Sequence, residues 1–292
     1  MSLLALRAVT RTVIPQDQPA LTILNGIDLQ IEPGDHVSIV GRSGSGKSTL
    51  LNMLGLLDLP TSGEVLFDDR PVRSYSSAQR DRLRGAAIGF VFQQFNLLPG
   101  RTALENVTMP LLYASGRTFW RRKTIAADML ALVGLEHRLN SMPDRLSGGE
   151  QQRVAIARSL VRAPRLILAD EPTGALDLDT GQSVMELIDE VAAQTGAAQV
   201  VITHDPTIAR RARRHFRLDR GVLTPVDDPS LEPLTRRDRR EMAPMAAAIE
   251  PDALTALGLA GAGTATATAT ATIEGEPAGG APDDEAGRGG DA

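Results

Sequence analysis

The sequence predicts an α/β fold with three parts: a core with a mostly parallel sheet, an antiparallel β subdomain at the N-terminus, and a helical subdomain. Three short apolar runs, HVSIV, RLILAD and QVVIT, alternate with helical patterns, which is typical of parallel strands joined by helices. The opening segments LLALRAVTR and TILNGIDLQIEPGD alternate between apolar and polar residues and favour antiparallel strands. Residues 94–160 contain no comparable strand and are predicted to form the helical subdomain.

The folded body is predicted to span residues 1–224, followed by a low-complexity acidic tail over 225–292. Pro, Ala, Gly and acidic residues dominate the tail, which also contains the run TATATATAT. Its few large apolar groups cannot offset the entropy lost on ordering, so we expect disorder, with a transient helix over 235–249. The tail has 13 acidic and 5 basic residues, a net charge of 5 − 13 = −8, whereas the whole chain carries −5. The body therefore carries −5 + 8 = +3.

The composition argues against several classes of protein. A near-neutral body lacks the strong basic excess of proteins that bind nucleic-acid backbones, so no nucleic-acid partner is expected. The absence of cysteine excludes disulfides and thiolate metal sites. No run reaches the roughly 18–20 apolar residues that span a bilayer, and the N-terminus does not resemble a signal peptide. We therefore expect a cytoplasmic protein.

The strongest local signal is a glycine-rich loop of the form G-x-x-x-x-G-K-[ST], preceded by the strand HVSIV and followed by a helical run. Its residues are Gly41, Arg42, Ser43, Gly44, Ser45, Gly46, Lys47, Ser48 and Thr49. Glycines let the backbone N–H groups turn toward phosphate oxygens, and the helix N-terminus adds partial positive charge. Lys47 is expected to reach the β- and γ-phosphates, and the Ser48 hydroxyl to bind Mg²⁺. The pattern predicts a P-loop NTPase core, against the alternative of a flexible Gly-Ser loop.

A second signal is the apolar run that ends in Asp170 and Glu171. Such a run places its acidic residues at the carboxyl edge of the sheet, where ligands bind in open α/β folds. Asp170 can hold Mg²⁺, and Glu171 can polarise the attacking water. Taken alone, the same pattern also fits a solvated turn.

A third signal is the segment LSGGEQQR, which contains Ser147, Gly148, Gly149 and Glu150 ahead of a helical run. The local alternative is a helix N-cap at Ser147 with Glu150 three residues later. Together with the phosphate loop and the acidic strand end, LSGGEQQR resembles the signature of the ATP-binding cassette family. The segment GFVFQQFNLLPGRTALENVTMPLLY further resembles the branch that contains lipoprotein-release, macrolide-export and cell-division ATPases.

The resemblance implies roles for four further residues. Gln93 resembles the glutamine that contacts Mg²⁺ and senses the membrane partner. Asp177 lies in the segment GALD, which resembles the loop that crosses between subunits. His204 resembles the switch histidine that contacts the γ-phosphate. Val13 stands where the family usually has an aromatic residue stacked on adenine, and no Phe, Tyr or Trp precedes Phe67. We therefore expect the base to lie on an aliphatic surface.

Family membership also implies partners. One phosphate loop and one signature per chain imply a homodimer in which ATP and Mg²⁺ lie between the loop of one subunit and the signature of the other. Closure and reopening of the dimer would drive a transmembrane permease subunit, with the chain held peripherally on the inner face of the cell membrane.

Three alternatives remain open at the level of sequence. The chain could drive a cell-wall hydrolase through a membrane partner without moving a substrate, or it could be a soluble relative used in DNA repair or translation. It could also be a regulator that binds nucleotide without hydrolysis, although Glu171, Lys47 and His204 argue against that. The arginine-rich segment 209–216 is predicted to be the solvated face of a C-terminal helix, or else a contact with anionic lipid.

Overall fold

The computed structural model describes residues 1–14, 16 and 19–227. The strands are β1 (Leu4–Val13), β2 (Leu21–Ile31), β3 (His36–Val40), β4 (Ser62–Phe67), β5 (Arg70–Pro71), β6 (Ile88–Phe92), β7 (Leu166–Asp170), β8 (Ala198–Ile202), β9 (Arg214–Asp219) and β10 (Val222–Pro225). The α-helices are α1 (Lys47–Leu54), α2 (Ser77–Ala87), α3 (Ala103–Thr108), α4 (Gly116–Trp120), α5 (Arg122–Leu132), α6 (Gly148–Leu160), α7 (Leu178–Thr195) and α8 (Pro206–Ala209). Short 3₁₀ helices span Val72–Ser74, Met109–Tyr113, Glu136–Arg138 and Pro143–Arg145.

Two sheets form the framework. The larger has six strands in the order β10-β9-β3-β8-β7-β6, and all its neighbours are parallel except β10 and β9. The smaller is an antiparallel sheet in the order β2-β1-β4-β5. The three apolar runs form β3, β7 and β8, which are almost wholly buried because helices cover both faces of a parallel sheet. The predicted α/β fold class is confirmed.

Two apolar cores hold the layers together. One lies between the two sheets and α1, and includes Leu4, Ile27, Leu50 and Leu168. The other joins the opposite face of the large sheet to α3, α5, α6 and α7. The phosphate-loop helix and the signature helix thus belong to different cores.

Between β6 and β7 the described elements are all helical, from α3 to α6. The division of the body into subdomains stays a prediction. Strand β10 extends to Pro225, one residue beyond the predicted end of the body, and the description stops at residue 227. The tail, with its predicted disorder and its helix over 235–249, lies outside the described residues. No helix in the described ranges has the length and apolar character needed to cross a bilayer.

The interpretation of segment 209–216 as a helix face is wrong. Helix α8 ends at Ala209, and strand β9 begins at Arg214 because it pairs in parallel with β3. Arg211 is fully buried, and its Nε donates to Asp189 Oδ2 at 2.8 Å. Arg214 donates to Asp35 Oδ2 at 2.6 Å. Sheet pairing has overridden the helix propensity of Ala and Arg.

The Arg211–Asp189 pair fixes α7 against the segment that leads into β9. We expect Arg211→Ala to lower the free energy of unfolding by about 3 kcal/mol, because it removes a fully buried side chain that donates to both Asp189 and Gln182. Urea unfolding followed by circular dichroism measures this. Arg213→Ala, at an exposed position two residues away, is the matched control and should change stability very little. Equal stability of the two variants would contradict a structural role for the pair.

Candidate nucleotide site

The phosphate loop joins the end of β3 to the start of α1, as the sequence predicts. Gly44 and Gly46 have φ angles of 77° and 105°, in the region that favours glycine. Gly41 also has no room for a side chain, because a Cβ there would lie 2.5 Å from the Leu218 carbonyl oxygen. The loop therefore curls tightly against β9, and the first N–H groups of α1 point out of its open end.

Two polar side chains in the loop are placed to receive an anion. Ser45 Oγ is buried and has no hydrogen-bond partner among the described residues. Lys47 Nζ donates to the carbonyl oxygens of Gly41 at 2.8 Å and Arg42 at 3.0 Å. Its cation thus lies over the loop, where phosphate oxygens would replace the carbonyl partners. A buried hydroxyl, a lysine and helix N–H groups fit a polyphosphate.

A cleft of about 740 Å³ opens beside this loop, a volume typical of ligand sites. It is lined by residues 40–45, His204 and residues 217–220, and so carries Arg42, Arg217 and Arg220. Val13 and Ser147 are not among its lining residues.

The register of the parallel strands brings further predicted residues to the same edge. Phe92 of β6 pairs with Asp170 of β7, and Asp170 pairs with Ile202 of β8. Gln93 and His204, which follow those strands, therefore lie at the edge that carries Asp170. The Gln93 amide packs against the turn after β7, since a Cβ on Gly174 would lie 2.9 Å from its Nε2.

The Glu171 carboxylate is held by two side chains from the end of β8. Its Oε1 lies 2.8 Å from His204 Nδ1, and its Oε2 accepts a hydrogen bond from Thr203 Oγ1 at 3.2 Å. Thr203 Oγ1 in turn accepts from the Asp205 N–H at 3.0 Å. Glu171 is 15% exposed and His204 is 76% exposed, so a fixed carboxylate stands beside an accessible imidazole. Glu171 also has a φ of 45°, which aims it away from the strand direction.

Sequence reasoning missed Thr203. It is buried and directly precedes His204, and its hydroxyl donates to Glu171 while it accepts the Asp205 N–H, so that it joins Glu171 to the loop that carries the histidine. The signal available in the sequence was a hydroxyl residue at the end of a buried strand, next to a predicted site histidine.

The donor set at Asp170 fits a hard divalent cation. Burial raises the pKa of Asp170, the neighbouring Glu171 charge raises it further, and Lys47 opposes the shift. A cation would relieve both of the raising effects. Ser48 and Gln93 supply a hydroxyl and an amide oxygen, the ligand type that Mg²⁺ prefers. No three His, Cys, Asp or Glu side chains converge on a metal position in the described part of the chain.

The signature residues form the N-terminus of α6. Ser147 Oγ accepts from the Glu150 N–H at 3.3 Å, and Glu150 Oε2 accepts from the Ser147 N–H at 2.8 Å, which is a capping box. Arg138 Nε donates to the other Glu150 oxygen at 2.8 Å. Hydrogen bonding from the Ser147 N–H holds the pKa of Glu150 below its usual range, despite some opposing desolvation. The structure thus contains the helix N-cap at Ser147 that the sequence predicted as the alternative interpretation of LSGGEQQR.

The first residues of the signature remain accessible although Ser147 caps the helix. A side-chain hydrogen bond from Ser147 also lowers the pKa of Glu150, after the larger effect of the Ser147 N–H. Ser147 and Gly148 are exposed. Gly149 is crowded by α7, since a Cβ there would lie 2.7 Å from Thr180 Cγ2. The signature therefore presents a small polar side chain and glycine backbone at the surface of the chain.

Asp177 lies beside the signature as the N-cap of α7. Its Oδ1 accepts from the Thr180 N–H at 3.0 Å, and this bond is the main cause that lowers its pKa. The next residue, Leu178, is 73% exposed. The start of α7 thus carries a fixed carboxylate and an uncovered aliphatic side chain next to Gly149.

Val13 lies at the end of β1, opposite Leu21 of β2. Ile23, two residues beyond Leu21, reaches the phosphate loop, because a Cβ on Gly46 would lie 3.3 Å from Ile23 Cγ2. Leu21 is largely exposed and Val13 partly so. An aliphatic surface therefore adjoins the phosphate loop, and the role expected for Val13 stays a prediction.

Comparison with known proteins gives consistent matches. The ABC transporter family matches residues 24–174. The chain is 47% identical over 221 residues to the lipoprotein-releasing system ATP-binding protein LolD of Shewanella oneidensis, covering 76% of this chain and 95% of that protein. It is 48% identical over 233 residues to the pyoverdine export ATP-binding/permease protein PvdT of Pseudomonas fluorescens, covering 79% of this chain and 35% of PvdT. It thus spans about a third of that relative.

Among solved structures, the chain is similar to the ATP-binding cassette MJ0796 in a dimeric post-hydrolysis state bound to ADP and Pi. The TM-score is 0.70 at 42% identity, and the match covers 77% of this chain and 99% of the cassette.

Proposed function

Because the chain belongs to the ABC transporter family, as the sequence predicts, we propose that it is the ATP-binding and ATP-hydrolysing subunit of a membrane transporter. Two copies close on ATP, hydrolyse it and drive a conformational change in a permease. One observation carries this proposal: the phosphate loop and the Glu171–His204 pair share one sheet edge, whereas the signature lies at another part of the same chain.

Because the signature and the phosphate loop of one chain are separate, we infer that a second copy of the chain supplies the signature to each nucleotide site. Ser147 and Gly149 do not line the cleft at the phosphate loop, and Ser147 is exposed. In a head-to-tail pair, each signature would face the phosphate loop of the other subunit, so that both sites are shared. Asp177 and Leu178, at the start of α7, would lie at the contact between subunits. The dimeric state of the similar cassette supports this arrangement.

The phosphates of ATP are the main group that the chain binds. The N–H groups of residues 41–49, Ser45 Oγ and Lys47 Nζ surround them, and Lys47 exchanges its carbonyl partners for phosphate oxygens. Ser48, Gln93 and Asp170 would hold Mg²⁺. Bound there, Mg²⁺ would neutralise phosphate charge and orient the phosphate groups.

Glu171 is the proposed general base. Thr203 fixes one of its oxygens, which leaves the carboxylate aimed by the turn after β7. His204 occupies the other oxygen, and contact of its ring with the γ-phosphate would free that oxygen to accept a proton from water. Hydrolysis removes the γ-phosphate that both subunits contact, and the dimer reopens.

The partner is proposed from the relatives. LolD is named as the ATP-binding protein of a lipoprotein-releasing system, and PvdT as an export ATP-binding/permease protein. We place the chain in the cytoplasm, peripherally on the inner face of the cell membrane, through a permease. The Gln93 loop is suited to sense that partner, since Arg158 of α6 donates to the carbonyl oxygens of Phe95 and Asn96. A movement of this loop would therefore be transmitted through Arg158 to α6, the signature helix.

Hydrolysis should depend on Glu171. We expect Glu171→Gln to bind ATP but to reduce turnover by at least about 100-fold, because an amide cannot accept the proton. The variant should accumulate as a closed dimer, detected by size-exclusion chromatography with ATP and Mg²⁺. Glu64→Gln, an exposed change on β4 of equal charge, is the control. Turnover within a few-fold of wild type would remove Glu171 from this role.

The two sites should be shared between subunits. Ser147→Arg and Lys47→Ala should each be nearly inactive alone, because every composite site then contains one defect. Mixed together, they should form some dimers that contain one intact site, and ATPase activity should reappear. As a control, mixing Lys47→Ala with the double variant Ser147→Arg/Lys47→Ala restores no site. Full activity of Ser147→Arg as a monomer would overturn the sandwich arrangement.

The aliphatic surface should give weak selection of the base. Val13→Tyr should tighten ATP binding several-fold, since stacking on an aromatic ring is worth roughly 1–3 kcal/mol and apolar contact recovers only part of it. The hydrolytic step should change little. Titration of both proteins with ATP and GTP measures this, with Val13→Leu as the control that adds apolar area without a ring. A strong preference of the wild type for ATP over GTP would show that another group holds the base.

A further inference from the structure

An exposed aromatic and cationic surface lies on the helical part of the chain, away from the nucleotide site. It is formed by the end of the 3₁₀ helix Met109–Tyr113, helix α4 and the first turn of α5. Tyr113 is 82% exposed and Trp120 is 81% exposed. We call residues 112–123 the aromatic–basic patch. Trp120 is the single tryptophan of the chain, and such side chains rarely remain uncovered without a function.

All the charged side chains of this patch are basic. Arg117, Arg121, Arg122 and Lys123 fall within seven residues, and no acidic residue occurs from 106 to 127. The patch therefore carries a formal charge of about +4, which exceeds the +3 of the whole body. It also contains one of only two lysines in the chain.

The aromatic rings are held in place by local contacts. Phe119 and Trp120 form an edge-to-face pair with ring centroids 5.5 Å apart. The Arg122 guanidinium lies 4.3 Å from the Phe119 centroid and donates to the Phe119 carbonyl oxygen at 2.7 Å. These contacts occupy Phe119 and Arg122. The indole of Trp120 and the cations of Arg117 and Arg121 remain directed to the surroundings.

We propose that the aromatic–basic patch binds the surface of a membrane that contains anionic lipid. Trp and Tyr prefer the headgroup level of a bilayer, and arginine and lysine bind the phosphate groups of anionic lipids. Residues 112–123 do not line the cleft at the phosphate loop, the cleft between α2, β6 and α6, or the small cleft near Leu3 and Pro164. An open aromatic and cationic surface fits a bilayer better than a helix of a protein partner.

This inference goes beyond the proposed function, in which the chain is held at the membrane by a permease. The patch would bind a lipid bilayer directly, without a permease. Contact with lipid would orient the helical part of each subunit toward the membrane before or during assembly. Pro110, in the 3₁₀ helix that leads to Tyr113, lines a separate cleft of about 260 Å³ between α2, β6 and α6. The patch thus begins two residues after a residue that lines this cleft.

The single tryptophan provides the test. The full-length protein is titrated with vesicles of phosphatidylglycerol and phosphatidylcholine in equal parts, and with vesicles of phosphatidylcholine alone. We expect a blue shift of Trp120 fluorescence and co-sedimentation with the anionic vesicles only. Higher salt should weaken binding, because it screens charges at a surface. Arg117→Gln/Arg121→Gln should weaken it roughly 30-fold, since each basic residue near the surface strengthens binding about fivefold.

A matched control separates this patch from net charge. Arg7→Gln/Arg213→Gln removes two exposed arginines elsewhere and should bind as the wild type does. Trp120→Ala, followed by co-sedimentation, should also weaken binding. The proposal is overturned if no blue shift occurs with anionic vesicles, or if the two double variants lose binding equally. It is also overturned if the patch variants bind vesicles normally and impair only ATPase activity with a permease, because the patch would then contact protein. ATP hydrolysis by the free subunit should be unchanged in every patch variant.

Discussion

The site depends on how the parallel strands β3, β8, β7 and β6 align at their carboxyl ends. Two backbone hydrogen bonds continue this alignment beyond the strands, from the Glu171 N–H to the Ile202 carbonyl and from the Thr203 N–H to the Ile39 carbonyl. They fix the turns that carry Glu171 and His204 relative to the phosphate loop. A slip of one residue would turn these side chains to the opposite face of the sheet. The chemistry therefore depends on main-chain register before any side-chain contact.

At the signature, a structural role coexists with the proposed contact between subunits. Ser147 starts α6 by accepting the Glu150 N–H, and its side chain remains exposed. Glu150 serves the cap and pairs with Arg138. The helix cap and the proposed contact with a second subunit are therefore not competing explanations of LSGGEQQR.

The sequence predicts the features that a few neighbouring residues encode, but not those that depend on contacts between distant parts of the chain. The phosphate loop, the acidic strand end and the cap at Ser147 are each encoded within a few residues, and they were placed from the sequence. Thr203 was not, because its importance arises from a contact with Glu171, 32 residues away, that only the sheet creates. The arginine segment 209–216 was misassigned for the same reason, since its helical composition yields to pairing with β3.

The hydrogen bonds of the phosphate loop indicate which parts of a nucleotide would contribute most to its binding free energy. Lys47 is paired with carbonyl oxygens of its own loop, so phosphate binding exchanges one set of hydrogen bonds for stronger ones to charged oxygens. With the proposed nucleotide bound, Ser45 would gain a partner that it lacks among the described residues, and a cation beside Asp170 would offset the burial of that carboxyl group. By contrast, the aliphatic surface proposed to hold the base would offer it no directional contact through its side chains. Recognition would then be concentrated on the triphosphate, the part of the ligand that hydrolysis changes. A cassette built in this way would respond to the presence of the γ-phosphate more than to the identity of the base.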